Sequence, residues 1–241
     1  MSDDWYGSRA KIGLVYIASS WVAEPEFYKA APPGVTIHTT RVFLKDVTVK
    51  SLREVGRRAV EAAGLLAQAH MSVIILACTS GTFIRGIDYD REIAVRMTKA
   101  AAGIPCSTTS AAVLQAIQAL GVRKIAVGTP YPDEISRLAG QFIESQGYVV
   151  TKLYGLGLTD DVAINNVTLN EVYQLARSVD SPDSEAVFLA CTGLRSFGVI
   201  EALEKDLGKP VFSSNLATFW HALRLAGVGD KIAGFGRLLQ A

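Results

Sequence analysis

The sequence predicts an α/β fold of two pseudo-symmetric lobes, each a parallel sheet flanked by helices, with a candidate active site in the cleft between them. Three observations carry this expectation. Short apolar runs alternate with helical patterns along the chain, and such alternation produces parallel strands with covering helices. Two of the runs end almost identically, as Ile75-Leu76-Ala77-Cys78-Thr79-Ser80-Gly81 and Phe188-Leu189-Ala190-Cys191-Thr192-Gly193-Leu194. Gly103-Ile104-Pro105, followed by Ser107-Thr108-Thr109-Ser110 and a helix, is echoed by Gly208-Lys209-Pro210, Ser213-Ser214-Asn215 and a helix.

Lys11–Ala18 and Val35–Arg41 read as strands from their apolar and β-branched content. Ser51–His70 reads as a helix opened by a Ser51/Glu54 capping box. The Val73–Ala77 strand then leads to Cys78. A helix over about Ile84–Ala101, a short strand near Cys106 and a helix over Ser110–Leu120, stopped by Gly121, complete the first half. The second half repeats the alternation. It runs through strand Lys124–Val127, a helix near Asp133–Gln146, strand Tyr148–Tyr154, a helix from a Thr168/Glu171 capping box to Val179, and strand Ala186–Ala190 leading to Cys191. No Pro/Gly/Ser-rich linker separates the halves, so the boundary is a chain crossover. Lobe 1 is expected over 1–115, with the segment from about 213 to 241 packing back onto it, and lobe 2 over 116–212.

Bulk properties exclude several classes of function. The 241 residues can bury a substantial core without disulfides or a structural metal. With 24 basic and 23 acidic residues and no Lys/Arg cluster, nothing matches the footprint of a nucleic-acid binder. Met1-Ser2-Asp3-Asp4 lacks the basic and apolar regions of a signal peptide, and no apolar run approaches the roughly 18 residues of a membrane span. A cytoplasmic protein with no membrane partner is expected. Three cysteines do not make a disulfide framework, and a reducing compartment leaves them as thiols.

The duplicated cysteine motif is the main chemical signal. An apolar run that stops at small polar residues reads as a buried strand opening onto a turn, and open α/β sheets bind ligands at such strand ends. Cys78 and Cys191 are therefore expected on opposite walls of the cleft. One thiolate could take a proton from a bound carbon while the other thiol donates to the opposite face, or one could add to an activated double bond while the other protonates its neighbour. Either route calls for a lowered thiol pKa, which a following helix N-terminus would favour. Thr79, Ser80, Thr192 and Gly193 offer hydroxyl and amide donors for a carboxylate turning into an enediolate. Burial alone accounts for a lone cysteine at the end of a core strand, but not for the repeated context. Cys106, which has no counterpart in the second copy, reads as packing.

Other signals are weak. Gly155-Leu156-Gly157 opens a dinucleotide fingerprint, but Asp160 stands where its third glycine belongs, and no phosphate-binding GxxxxGK[ST] occurs. His38, His70 and His221 have no zinc-ligand spacing, which favours a metal-free mechanism. Phe219 and Trp220 read as core.

These residues resemble the aspartate/glutamate racemase superfamily, in the branch of maleate cis-trans isomerases and arylmalonate decarboxylases. The likeness covers nearly the whole chain and rests on Ile12-Gly13-Leu14-Val15, Glu24-Pro25-Glu26-Phe27, Cys78-Thr79-Ser80-Gly81 with Arg85-Gly86, Gly103-Ile104-Pro105, Gly128-Thr129-Pro130-Tyr131, Cys191-Thr192-Gly193-Leu194 and Pro210 with Ser213-Ser214-Asn215. It implies two α/β lobes around a cofactor-free site for a small carboxylate or dicarboxylate, in a homo-oligomer. Resemblance to the isomerases makes Cys78 the nucleophile, Cys191 the opposing proton donor or acceptor, and Tyr131 a carboxylate ligand. The decarboxylases typically carry glycine at the Cys78 position and keep only the second cysteine as proton donor. Two thiols therefore point to an isomerase or racemase, of maleate or of an amino or hydroxy acid. A decarboxylase with Cys191 as donor is the alternative, and a non-catalytic carboxylate-binding protein a remote one. The isomerases' Pro-Ser-Ser-Asn aligns with Ile17-Ala18-Ser19-Ser20, so Ser20 replaces a carboxylate-binding Asn, with Ser19 beside it. Asp161 stands for a second such Asn, unless Asn165 or Asn166 takes over that role, and would repel a dicarboxylate.

Overall fold

The structure, a computed structural model, describes residues 4–44 and 48–241; Met1-Ser2-Asp3 of the N-terminal reading lie outside them. The first half runs β1 (Ala10–Ile17), α1 (Ala23–Ala30), β2 (Val35–Val42), α2 (Val49–Ala67), β3 (Val73–Ala77), α3 (Thr79–Phe83), α4 (Gly86–Ala100), β4 (Cys106–Thr108) and α5 (Thr109–Leu120). The second half runs β5 (Lys124–Thr129), α6 (Asp133–Glu144), β6 (Val149–Gly155), α7 (Asp161–Asn166), α8 (Leu169–Val179), β7 (Ala186–Leu189), α9 (Phe197–Leu207), β8 (Val211–Ser213) and α10 (Ser214–Leu225).

Each half builds one parallel four-stranded sheet, in the orders β2-β1-β3-β4 and β6-β5-β7-β8. The orders correspond strand for strand, which is the expected pseudo-symmetry. β3 and β7 are apolar and buried throughout, as parallel strands covered by helices on both faces must be. In each sheet the chain leaves the first strand in one direction and returns on its other side, so the order switches between β1 and β3 and between β5 and β7. The carboxyl ends at such a switch diverge and leave a crevice. The pairings Tyr16↔Ala77 and Gly128↔Leu189 bring those ends level, so the turns after β1, β3, β5 and β7 share one region.

Several elements depart from expectation for local reasons. α2 starts at Val49 and is capped by Thr48, whose hydroxyl accepts from Ser51 N–H, so no Ser51/Glu54 capping box opens it. Glu54 pairs with Arg57 on the exposed face instead. The Thr168/Glu171 box forms as expected. The helix expected over Ile84–Ala101 is preceded by the separate α3, and the break falls at Gly86, whose φ of 80° is open to glycine. The short α1 is not among the expected elements; it carries Pro25 in its first turn, a position where proline's missing N–H is harmless. α5 and α10 pack on each other, α10 also contacts β3 and β1, and Thr109 and Thr218 hydroxyls meet across the helix pair at 3.0 Å. The terminal turn Leu238–Gln240 packs on the same two helices.

Candidate functional site

Cys78 follows β3 directly and forms the N-cap of α3, while Cys191 follows β7 and Ala190. Both are buried, at 3% and 6% exposure, and lie near enough that charge on Cys191 would disfavour ionisation of Cys78. Burial pushes the Cys78 thiol up to about 12, with Asp161 and Cys191 adding to the rise and the Gly81 N–H and Ser80 hydroxyl opposing it. Burial pushes Cys191 to about 12 as well, against the Tyr131 hydroxyl and the Gly193 and Leu194 amides, with Asp161 again raising it. The expected lowered thiol pKa is therefore not a property of the resting site: both thiols are neutral there. The helix-dipole argument also holds unevenly. α3 begins at Thr79, but α9 begins only at Phe197, after a turn that separates it from Cys191.

Each cysteine motif is tied to the opposite half. Thr79 Oγ1 donates to Ser214 Oγ at 2.8 Å, and the same Ser214 oxygen accepts from Cys191 N–H at 3.0 Å. Thr192 Oγ1 reaches the Ala77 carbonyl at the end of β3 at 3.4 Å, and Thr192 O accepts from the Tyr16 hydroxyl at 3.0 Å. The two threonine hydroxyls thus donate to protein acceptors. The remaining donors face the sulfurs: Gly81 N–H and the Ser80 hydroxyl turn to Cys78, and the Tyr131 hydroxyl and Gly193 N–H, the latter at 3.2 Å, turn to Cys191. Tyr131 is buried at the end of β5, its ring edge-on to Phe83, and burial together with Cys191 raises its phenol well above the usual range. It is held as a neutral hydroxyl.

The turn after β1 closes the site from the first half. Ser19 and Ser20 hydroxyls donate to Asp161 Oδ2 at 2.7 and 2.8 Å, so the three residues singled out from the sequence meet across the halves. Asn165 is buried beside them, accepting from Trp21 N–H at 3.0 Å and placing its amide 3.5 Å from Ser20 Oγ, whereas Asn166 is exposed. Three positioning groups escaped the sequence reading. The Tyr16 hydroxyl accepts from Val22 and Ala23 N–H while donating to Thr192 O. Arg41 donates to the carbonyls of Ile17, Ala18 and Ser20 and pairs with Glu24. The Glu26 carboxylate accepts from Ser196 and Phe197 N–H, opening α9, and from Asn215 at 2.7 Å. Glu26 had been visible only as part of a motif, and Arg41 and Tyr16 look like ordinary strand residues. Cys106 is half-buried and hydrogen-bonded to Ile104 O, and the cysteine pair lies elsewhere. Among the described residues no cluster of three or more His, Cys, Asp or Glu could hold a metal, and no helix is long and apolar enough to cross a membrane.

Known proteins share this fold. The chain is 37% identical over 211 residues to arylmalonate decarboxylase of Bordetella bronchiseptica, covering 86% of this chain and 88% of the relative. A variant of the maleate isomerase Iso of Pseudomonas putida S16 with one cysteine changed to alanine, solved with maleate, superposes with a TM-score of 0.92 at 26% identity, over 96% of this chain and 97% of the other. A liganded mutant of arylmalonate decarboxylase, with one glycine changed to cysteine and one cysteine to serine, superposes at 0.89 and 33% identity, over 95% and 98%. The family described as arylmalonate decarboxylase matches residues 22–239, nearly the whole length over which the site is assembled, and the chain belongs to that family of enzymes.

Proposed function

We propose that the chain is a cofactor-independent isomerase or racemase of a small carboxylic acid, with Cys78 and Cys191 acting from opposite faces of the reacting carbon. The observation that carries this is the placement of two buried thiols at corresponding strand ends, within electrostatic reach of each other and each with its own donors. The substrate carboxylate would be held by the amides opening α3, Ser80, Tyr131 and Gly193. In racemisation one sulfur, as thiolate, takes the α-proton. The C–H electron pair moves into the carboxylate as an enediolate, which the donors stabilise. The opposite thiol then returns a proton to the other face. In cis-trans isomerisation Cys78 thiolate adds to the double bond and Cys191 protonates the adjacent carbon; after rotation about the new single bond both steps reverse. With both thiols neutral at rest, ionisation must accompany substrate binding.

A second reading is favoured by one observation, the 37% identity to the Bordetella decarboxylase. In that reading loss of CO2 leaves the enediolate and Cys191 alone protonates it. NMR in D2O with maleate, mandelate, phenylglycine and phenylmalonate separates the two. Isomerisation or α-deuteration without CO2 release supports the isomerase reading, and CO2 release as the sole reaction overturns it in favour of the lyase.

A further inference from the structure

The charge inside the site is unusual for an enzyme acting on a dianion. Asp161 lies near enough to Cys78 and Cys191 that its negative charge acts on both. Its Oδ2 accepts from Ser19 and Ser20, while Oδ1 takes no protein hydrogen bond among the described residues. Among the described residues no Lys, Arg or His forms an ion pair with it. Arg41, the cation that clamps the Ser19–Ser20 turn, is committed to three carbonyls and Glu24. Ser80, Tyr131 and Gly193 offer donors for one carboxylate beside the sulfurs, whereas Asp161, tied to the Ser19–Ser20 turn, brings an acceptor and a negative charge within electrostatic reach of both thiols.

We propose that Asp161 is a specificity-determining residue that selects a monocarboxylate bearing a hydrogen-bond donor, a hydroxyl or an ammonium, on the reacting carbon, and rejects dicarboxylates. The inference rests on the two-thiol reading of the same site. A donor substituent satisfies the open Asp161 oxygen, whereas a second carboxylate meets like charge with no cation between them. An ammonium would also offset the charge that disfavours ionisation of the thiols, so binding itself would help to form the thiolate. The step balances without a co-reactant: one thiol first releases its proton to solvent, the resulting thiolate takes the α-proton, the electron pair rests in the enediolate, and the other thiol supplies the returning proton.

Phenylmalonate, mandelate and phenylglycine differ only in the group beside the shared carboxylate, which is carboxylate, hydroxyl or ammonium. Their dissociation constants, with that of maleate, are measured by calorimetry on the wild type and on Asp161→Asn. This exchange is isosteric and leaves the α7 cap intact, because Asp160 supplies it. The wild type should bind mandelate or phenylglycine at least tenfold more tightly than either dicarboxylate, the stronger of the two identifying the donor. Asp161→Asn should shrink or invert that ratio by at least tenfold. A wild type that prefers dicarboxylates, a ratio unchanged by the substitution, or no binding of any of the four overturns the proposal. The two-thiol reading fails separately, if Cys78→Ala exchanges the α-proton of a bound acid at the wild-type rate.

Discussion

At Cys191 the backbone is positioned before any substrate arrives. Its N–H is held by Ser214 Oγ, and its φ of 157° lies on the side of the Ramachandran map where L-residues are uncommon, a conformation kept only where the surroundings dictate it. At Cys78 the constraint is steric, since a Cβ on Gly81 would sit 2.8 Å from the sulfur and 3.3 Å from Val55 Cγ1. Gly81→Ala should therefore displace the thiol and lower kcat by about tenfold or more, on the scale of misplaced catalytic groups, with a smaller effect on KM; steady-state kinetics checks this. Because both thiols are pushed up to about 12, the free enzyme should react slowly with iodoacetamide at pH 7. The rate should rise steadily as pH approaches that value, whereas fast modification with a plateau near neutrality would mean a resting thiolate. The residue pair was legible because its context repeats. Its ionisation was not, because that depends on how completely the opposite half covers each sulfur.

The decisive element is the turn from β1 into α1, which carries Ser19 and Ser20 and is held from two directions. Tyr16 caps it from below with one hydroxyl serving Val22, Ala23 and Thr192, and Arg41 clamps its carbonyls from β2. Removing that hydroxyl leaves buried amides without an acceptor, so Tyr16→Phe should lower stability by about 1–3 kcal/mol, read from denaturant midpoints. Turnover should fall with it because Thr192 is no longer held. Elements of this kind are poorly legible in sequence. Tyr16 and Arg41 alternate along their strands as any β residue does, and only the parallel register of β1 with β2 brings them to one turn. The Thr168/Glu171 box was readable because it is complete within four consecutive residues. Ser51/Glu54 misled because Thr48, one turn earlier, offers a cap that leaves both inside the helix.

For the molecule as a whole, the repeated strand order gives each half a cysteine at the end of the corresponding strand, and the repeat of cysteine and Gly-x-Pro segments made that order readable in advance. Contacts joining the halves were less visible, since they depend on side chains far apart in the chain. Glu26, which ties α1 to the start of α9 and to α10, is one such contact, and burial raises its carboxyl to about 7 against the donors around it. A folded pKa above the unfolded value of 4.5 means that this group's stabilisation is full below about 4.5 and is lost as pH rises through about 7. Glu26→Gln should flatten that part of the stability profile, measured by urea unfolding across the range. The central claim, that both thiols act on one carbon, is tested most directly by following α-proton exchange and isomerisation in D2O for the wild type, Cys78→Ala and Cys191→Ala. The account predicts that either substitution lowers turnover by roughly a hundredfold or more; full activity in Cys78→Ala, with Cys191→Ala inactive, would contradict it.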